Sequence, residues 1–272
     1  MTTPTTDKVF ASSVAQLYET HMVPLIFEPY AVDIARRLAA RPVARLLEIA
    51  CGTGVVTRQL AALPGIAAIV ATDLNQTMLD QAKAIGTPRP VEWRQADAMQ
   101  LPFPDAGFDA VVIQFGAMFF PDKAKAYAEV RRVLKPGGLF LFNVWDRIED
   151  NDFADVVTNA LAGVFPQDPP RFMARTPHGY HDVRQVEQDL ARGGFTAKAR
   201  IETVSARSLA SSPQFPAVAY CHGTPLRSEI EQRDPAALAR ATEVCTEAIA
   251  ERFGGGAVDG KIQAHVIATQ RN

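Results

Sequence analysis

Residues 46–54 read LLEIACGTG: a short apolar run, an acid at Glu48, then Gly52 and Gly54 on either side of Thr53. A strand that breaks into glycines before a helix suits a small charged ligand, because glycine lets backbone N–H groups come close to it. Three ligand types compete: a dinucleotide, a nucleotide phosphate, and a molecule without phosphates. The dinucleotide fingerprint G-x-G-x-x-G needs a third glycine for close packing at the helix start, and Thr57 stands there. A phosphate loop needs G-x-x-x-x-G-K-[ST], and Val55 follows Gly54. Glu48 would also sit poorly beside a pyrophosphate.

Outward from this loop the chain alternates. Segments 44–50, 67–73, 91–97, 108–115 and 138–145 read as strands, the first and fourth as apolar runs. Between them, 54–63, 75–85 and 122–134 read as helices, the second capped by Asn75 or Asp73 and closed by Gly86. Strand and helix at this rhythm specify a parallel sheet covered on both faces, with ligands at the carboxyl ends of the strands. Before the loop, 28–40 has Tyr30, Ile34 and Leu38 at helical spacing. Residues 14–30 read as short helices interrupted by Pro24 and Pro29, and 1–12 as a frayed start. Farther on, 151–165 and 181–195 read as helices, and 198–208 and 261–270 as strands. Between those two strands lies 211–256, helical with proline breaks. A connection that long is usually functional.

With phosphates set aside, the acid is informative. A carboxylate at a strand end favours a cationic group, and the amides opening the next helix favour an anionic one. An amino acid moiety carries both. Asp73 closes the second strand, where a carboxylate can accept hydrogen bonds from both ribose hydroxyls. Asp97 closes the third, and a carboxylate there can read an adenine amino group. Three acids on successive strand ends describe an adenosine joined to an amino acid, which is S-adenosylmethionine.

The stretches LLEIACGTG (46–54), ATDLNQTML (71–79), RQADAMQLPFPDAGFDAVV (94–112) and EVRRVLKPGGLFLFNVW (129–145), in this order, resemble the class I S-adenosylmethionine-dependent methyltransferases. The resemblance is to the branch that includes the ubiquinone/menaquinone C-methyltransferases and many small-molecule O-methyltransferases, and it spans about 40–146. It implies an α/β fold: a Rossmann-like, seven-stranded, mostly parallel sheet with helices on both faces and the last strand antiparallel. A helical N-terminal cover and a helical insertion before the last strand complete it. One methyltransferase domain is expected over 1–272, with the cover at 1–40, the cofactor core at 41–146 and the insertion at 211–256 as a substrate lid. The resemblance further implies that Glu48, Ala50, Gly52 and Gly54 form the methionine-binding loop. Asp73 then holds the ribose, Leu74 and Met78 pack on adenine, and Asp97 with Ala98 reads it. The backbone of Gln114 approaches the methionine end. Ala50 departs from the glycine that many members carry, and a small side chain is expected to suffice.

The reaction so implied is an in-line transfer of a methyl group to oxygen or carbon of a small, largely apolar acceptor, leaving S-adenosylhomocysteine. Tyr18, Phe27, Phe115, Phe119 and Tyr220 are candidates for an apolar pocket, with Tyr18 over the cofactor. His21 and His222 are candidate general bases. Cys51 reads as a small buried hydrophobe. A binding module without activity is the alternative. Amino-group DNA methylation would want an Asn/Asp-Pro-Pro-aromatic motif after the fourth strand, where QFGA (114–117) stands; QDPP (167–170) comes too late. A metal-dependent catechol-type enzyme would want clustered acids, and Asp146 is solitary, so no metal is expected.

Composition limits the rest. The 272 residues carry a net charge of −2 and no Lys/Arg run, against polyanion or nucleic-acid binding. Three cysteines without close spacing make neither a disulfide framework nor a zinc knuckle. No apolar stretch reaches the ~18 residues of a membrane span, and no secretory signal opens the chain. A cytoplasmic protein with a small-molecule partner is expected, and a homodimer is compatible with these features.

Overall fold

A computed structural model describes residues 12–272. The fraying expected of 1–12 therefore lies, but for Ser12, outside the described residues. The helices are α1 (Ser12–Leu17), α2 (Glu28–Ala39), α3 (Val55–Ala61), α4 (Gln76–Ile85), α5 (Lys123–Val133), α6 (Asp152–Val164), α7 (Phe172–Arg175), α8 (Val183–Arg192), α9 (Gln214–His222), α10 (Leu226–Arg233) and α11 (Leu238–Phe253). The strands are β1 (Arg45–Ile49), β2 (Ala68–Asp73), β3 (Glu92–Gln95), β4 (Phe108–Gln114), β5 (Leu134–Trp145), β6 (Arg200–Ala210) and β7 (Val258–Gln270).

The seven strands form one sheet in the order β3-β2-β1-β4-β5-β7-β6. β7 runs antiparallel to both neighbours, and the other pairs are parallel. Strand alternation sends successive side chains to opposite faces. Leu47, Val111, Ile113, Phe140 and Phe142 join the core under the N-terminal segment, α5 and α6. Leu46, Ala110, Val112, Leu139 and Leu141 join a second core under α2 and α3. Burial on both faces is why β1 and β4 read as apolar runs.

Three details differ from the sequence reading. Pro24 does not break the N-terminal region: Tyr18–Phe27 winds as a π-helix between α1 and α2. In an α-helix the proline ring meets the carbonyl four residues back, and a wider turn is one way round that clash. Pro29 lies in the first turn of α2, where a missing N–H costs nothing. β5 begins at Leu134, before Pro136, with a register shift against β4 between Phe108 and Ala110.

The cover over the strand ends comes from two insertions rather than one. α9, α10 and α11 lie between β6 and β7, where a helical insertion was expected. α6 and α7, between β5 and β6, join them: α6 packs on α11 and α9, and α7 packs on α10.

Candidate functional site

β1 and β4 are neighbours in the sheet, and the chain turns to opposite sides from them. This is the switch point at which doubly wound sheets bind ligands. The glycine loop leaves β1 here. Ala50, Gly52 and Gly54 all take positive φ, at 55°, 55° and 86°. At Gly52 this backbone faces the cavity, and a Cβ there would meet only Tyr18, at 4.0 Å. Asp73 holds the loop down: its Oδ2 accepts from the Gly52 N–H at 2.9 Å, and its Oδ1 from the Asn75 N–H at 2.8 Å. Burial raises its pKa, and these backbone donors oppose the shift. The α4 cap falls to Asn75, whose side chain accepts from the Thr77 N–H. Asp73 is thus not the cap.

A cavity of about 220 Å³ opens outside these strand ends. One end is walled by Ala50, Gly52, Asp73, Leu74, Met78, Asp97 and Ala98. Leu74 is half exposed at its mouth, whereas Met78 and Ala98 are buried. Asp97 lies just beyond β3, and its Oδ1 accepts from the Met99 N–H at 2.8 Å. Tyr18 lines the cavity and stacks on Phe27 at 5.1 Å.

The other end is aromatic. Phe115 lies flat on Trp145, with ring centroids 3.8 Å apart and planes within 4°. Phe115 takes φ 52°, a strained conformation for a large side chain. Buried Asn143 holds it there, its Oδ1 accepting the Phe115 N–H at 2.9 Å. Gln114 lines the wall and donates to the Phe27 carbonyl at 3.3 Å. Phe119, Phe172, Met173, Thr224 and Pro225 complete this end.

Of the residues singled out in the sequence, most meet at this cavity. Four do not. Glu48 is buried behind the loop, where its carboxyl accepts from the Thr57 hydroxyl at 2.6 Å. Burial pushes its pKa up to about 8, against the pull of Thr57 and Arg58. Gly54 is the left-handed N-cap of α3, packed on Trp93 and Ala82, and does not line the wall. Tyr220 is buried in the core of the helical cover. Cys51 is buried, and desolvation, with Glu48 and Asp73 nearby, raises its pKa and keeps it a thiol.

The two candidate histidines also stand apart from the wall. His21 pairs with Thr20 at 2.8 Å and stacks on Phe215. His222 pairs with Thr242 at 2.9 Å, and burial lowers its pKa. The titratable groups on the wall, among the described residues, are Tyr18, Asp73 and Asp97. His178 is buried beside Trp145 with its Nδ1 2.8 Å from the Asp146 carbonyl; desolvation lowers its pKa to about 4. Among the described residues no group of three or more His, Cys, Asp or Glu side chains is arranged to hold a metal. No helix there is long and apolar enough to cross a membrane.

Sequence reasoning missed Trp145, Phe172, Met173, Thr224 and Pro225. Trp145 had a signal, since it ends a strand at the ligand edge of the sheet. The others reach the cavity only through the packing of the two insertions, which no local pattern records.

Residues 47–142 match a family described as a methyltransferase domain. The ubiquinone/menaquinone biosynthesis C-methyltransferase of Teredinibacter turnerae is 44% identical over 106 residues, 37% of this chain and 43% of that one. The demethylmenaquinone methyltransferase of Thermus thermophilus is 43% identical over 110 residues, 40% of this chain and 49% of that one. These alignments span less than half the length of either relative. Among solved structures, phosphoethanolamine N-methyltransferase 2 of Haemonchus contortus, in complex with S-adenosyl-L-methionine, matches 96% of this chain and 58% of its own at TM-score 0.60 and 17% identity. That likeness concerns the fold. Residues 47–142 thus match a methyltransferase domain and are similar to the ubiquinone/menaquinone C-methyltransferase branch of the class I S-adenosylmethionine-dependent methyltransferases, and the sheet order, the glycine loop and its carboxylates agree with that likeness.

Proposed function

We propose that this protein moves a methyl group from S-adenosylmethionine to oxygen or carbon of a small, largely apolar acceptor. The observation that carries this reading is the cavity's two unlike ends: a glycine loop with Asp73 and Asp97 at one, and stacked aromatic rings at the other. The cofactor suits the first end. Gly52 offers open backbone, Asp73 a carboxylate for the ribose hydroxyls, and Leu74, Met78 and Ala98 an apolar slot for adenine. The names of the two relatives suggest a quinone-type ring as acceptor, and an aromatic wall suits one.

The sulfonium supplies its own leaving group, so the protein need form no covalent intermediate. Its residues orient the acceptor along the S–C axis and exclude water, worth on the order of 7–11 kcal/mol in well-aligned pairs. Segment 211–256 serves as roof at the acceptor end through Thr224 and Pro225, and the whole of 1–272 acts as one methyltransferase unit. Calorimetric titration with S-adenosylmethionine and S-adenosylhomocysteine tests the reading. Binding of both is expected, and no binding at millimolar ligand would end it. Binding of both without turnover on any quinol or phenol would favour a module that has lost activity.

A further inference from the structure

We propose that Glu229 sets the shape of the acceptor end, and so which acceptor fits, by pinning one insertion to the other. The inference rests on the reading of that end as the acceptor site. α7 has four residues, far too short to persist alone. It nevertheless presents Phe172 and Met173 to the cavity. What holds it is a carboxylate from α10. Glu229 accepts from the backbone N–H of Arg171 at 2.8 Å and of Phe172 at 3.1 Å, and from the Arg175 guanidinium at 2.7 Å. One side chain thereby satisfies orphan donors at the start of α7 and pairs with its last residue. Glu229 is itself buried, so these donors have little water to turn to.

One turn along α10, Arg233 completes the clamp from the opposite polarity. It donates to the carbonyls of Asp168 (2.6 Å) and Pro169 (3.4 Å) and pairs with the Asp168 carboxylate at 3.1 Å. The QDPP segment, misplaced for a nucleic-acid motif, is the strap that this clamp grips. Thr224 and Pro225, just before α10, line the same cavity end. The position of α10 therefore fixes both parts of the wall at once, and none of these residues belongs to the cofactor loop. Glu229 is a positioning residue: it acts on the acceptor through Phe172 and Met173.

The test uses the full chain with Trp93→Phe, which leaves Trp145 as its single tryptophan. Glu229→Ala and Glu229→Gln are added separately, each saturated with S-adenosylhomocysteine. In Glu229→Ala, amide exchange over 168–178 is expected to speed by about tenfold or more. Quenching of Trp145 by acrylamide rises with it, while exchange over 46–54 and S-adenosylhomocysteine affinity stay within about twofold. Glu229→Gln keeps an acceptor for the two backbone donors and restores most of the protection. Unchanged exchange and quenching in Glu229→Ala would overturn the proposal. So would a uniform rise across both segments, which marks general destabilisation. Failure of the parent chain to bind S-adenosylhomocysteine would instead strike the cofactor reading, and the exchange data, taken without it, would still judge the clamp.

Discussion

The two ends of the cavity are built on different plans. The end proposed for the cofactor comes, Tyr18 apart, from one continuous run, 50–98, which offers open backbone at a glycine and carboxylates at successive strand ends. The aromatic end, proposed for the acceptor, is assembled from segments far apart in the chain: the π-helical turn, the end of β4, Trp145, α7 and the turn before α10. Backbone conformation and fixed carboxylates leave a mark on sequence, because few residues can do the work. Apolar walls leave little, because one large side chain replaces another wherever the volume suits.

The largest effect expected from breaking this contrast lies at Asp73. Its carboxylate joins the glycine loop to β2 through the Gly52 and Asn75 amides and still has lone pairs to offer a ribose. Asp73→Ala should weaken S-adenosylmethionine binding at least about tenfold. It should also lower the unfolding free energy by about 2 kcal/mol, since two charge-assisted bonds are lost. Calorimetry and urea unfolding read the two effects. Unchanged affinity would reduce Asp73 to a brace for the loop.

The same contrast explains what was legible in the sequence. Strand positions, their order and the carboxylates at their ends follow from apolar runs and turn residues, which act locally. Tyr220 and His222 were placed near the acceptor because they lie in the insertion, but helical periodicity alone does not tell which face of α9 meets the cavity. Nothing in the local sequence around Glu229 marks it out. Only its contact with residues 54 to 58 positions away reveals a function. Glu48 was legible as unusual, but its burial behind Thr57 depends on how α3 settles on the loop.

A middle-sized effect is expected at Ala50 and Gly116. Ala50 sits at positive φ, and its Cβ fills the space beside Gly116, where an added Cβ would come within 2.5 Å of it. Gly116→Ala should therefore cost about 1–3 kcal/mol through overpacking. Ala50→Gly, which relieves left-handed strain but loosens the unfolded chain, should change stability by no more than about 1 kcal/mol. The double variant should recover part of the Gly116→Ala loss, because Ile113 still crowds the new methyl at 3.1 Å. Additive losses in urea unfolding would show that the two positions do not share that space, and that glycine is absent at 50 for some other reason.

A pH titration decides on which side of the contrast Glu48 belongs. With its pKa raised to about 8 from a usual 4.5, Glu48 is mostly protonated in the folded protein at pH 7. The folded state then holds more protons than the unfolded one across that window. Its contribution to stability is full below about pH 4.5 and is lost as pH rises through about 8. Glu48→Gln should flatten that decline when unfolding is followed from pH 5 to pH 8.5. If the ammonium of the methionine moiety docks across the loop, it favours the carboxylate. Binding at pH 7 then releases a fraction of one proton, read as a dependence of calorimetric enthalpy on buffer ionisation, and Glu48→Gln abolishes the release. No release from the native protein, together with a flattened pH profile in the variant, would make Glu48 a buried partner of Thr57. Recognition of the amino acid end would then rest on the loop backbone, and the acid that first argued against a pyrophosphate would be part of the loop's foundation.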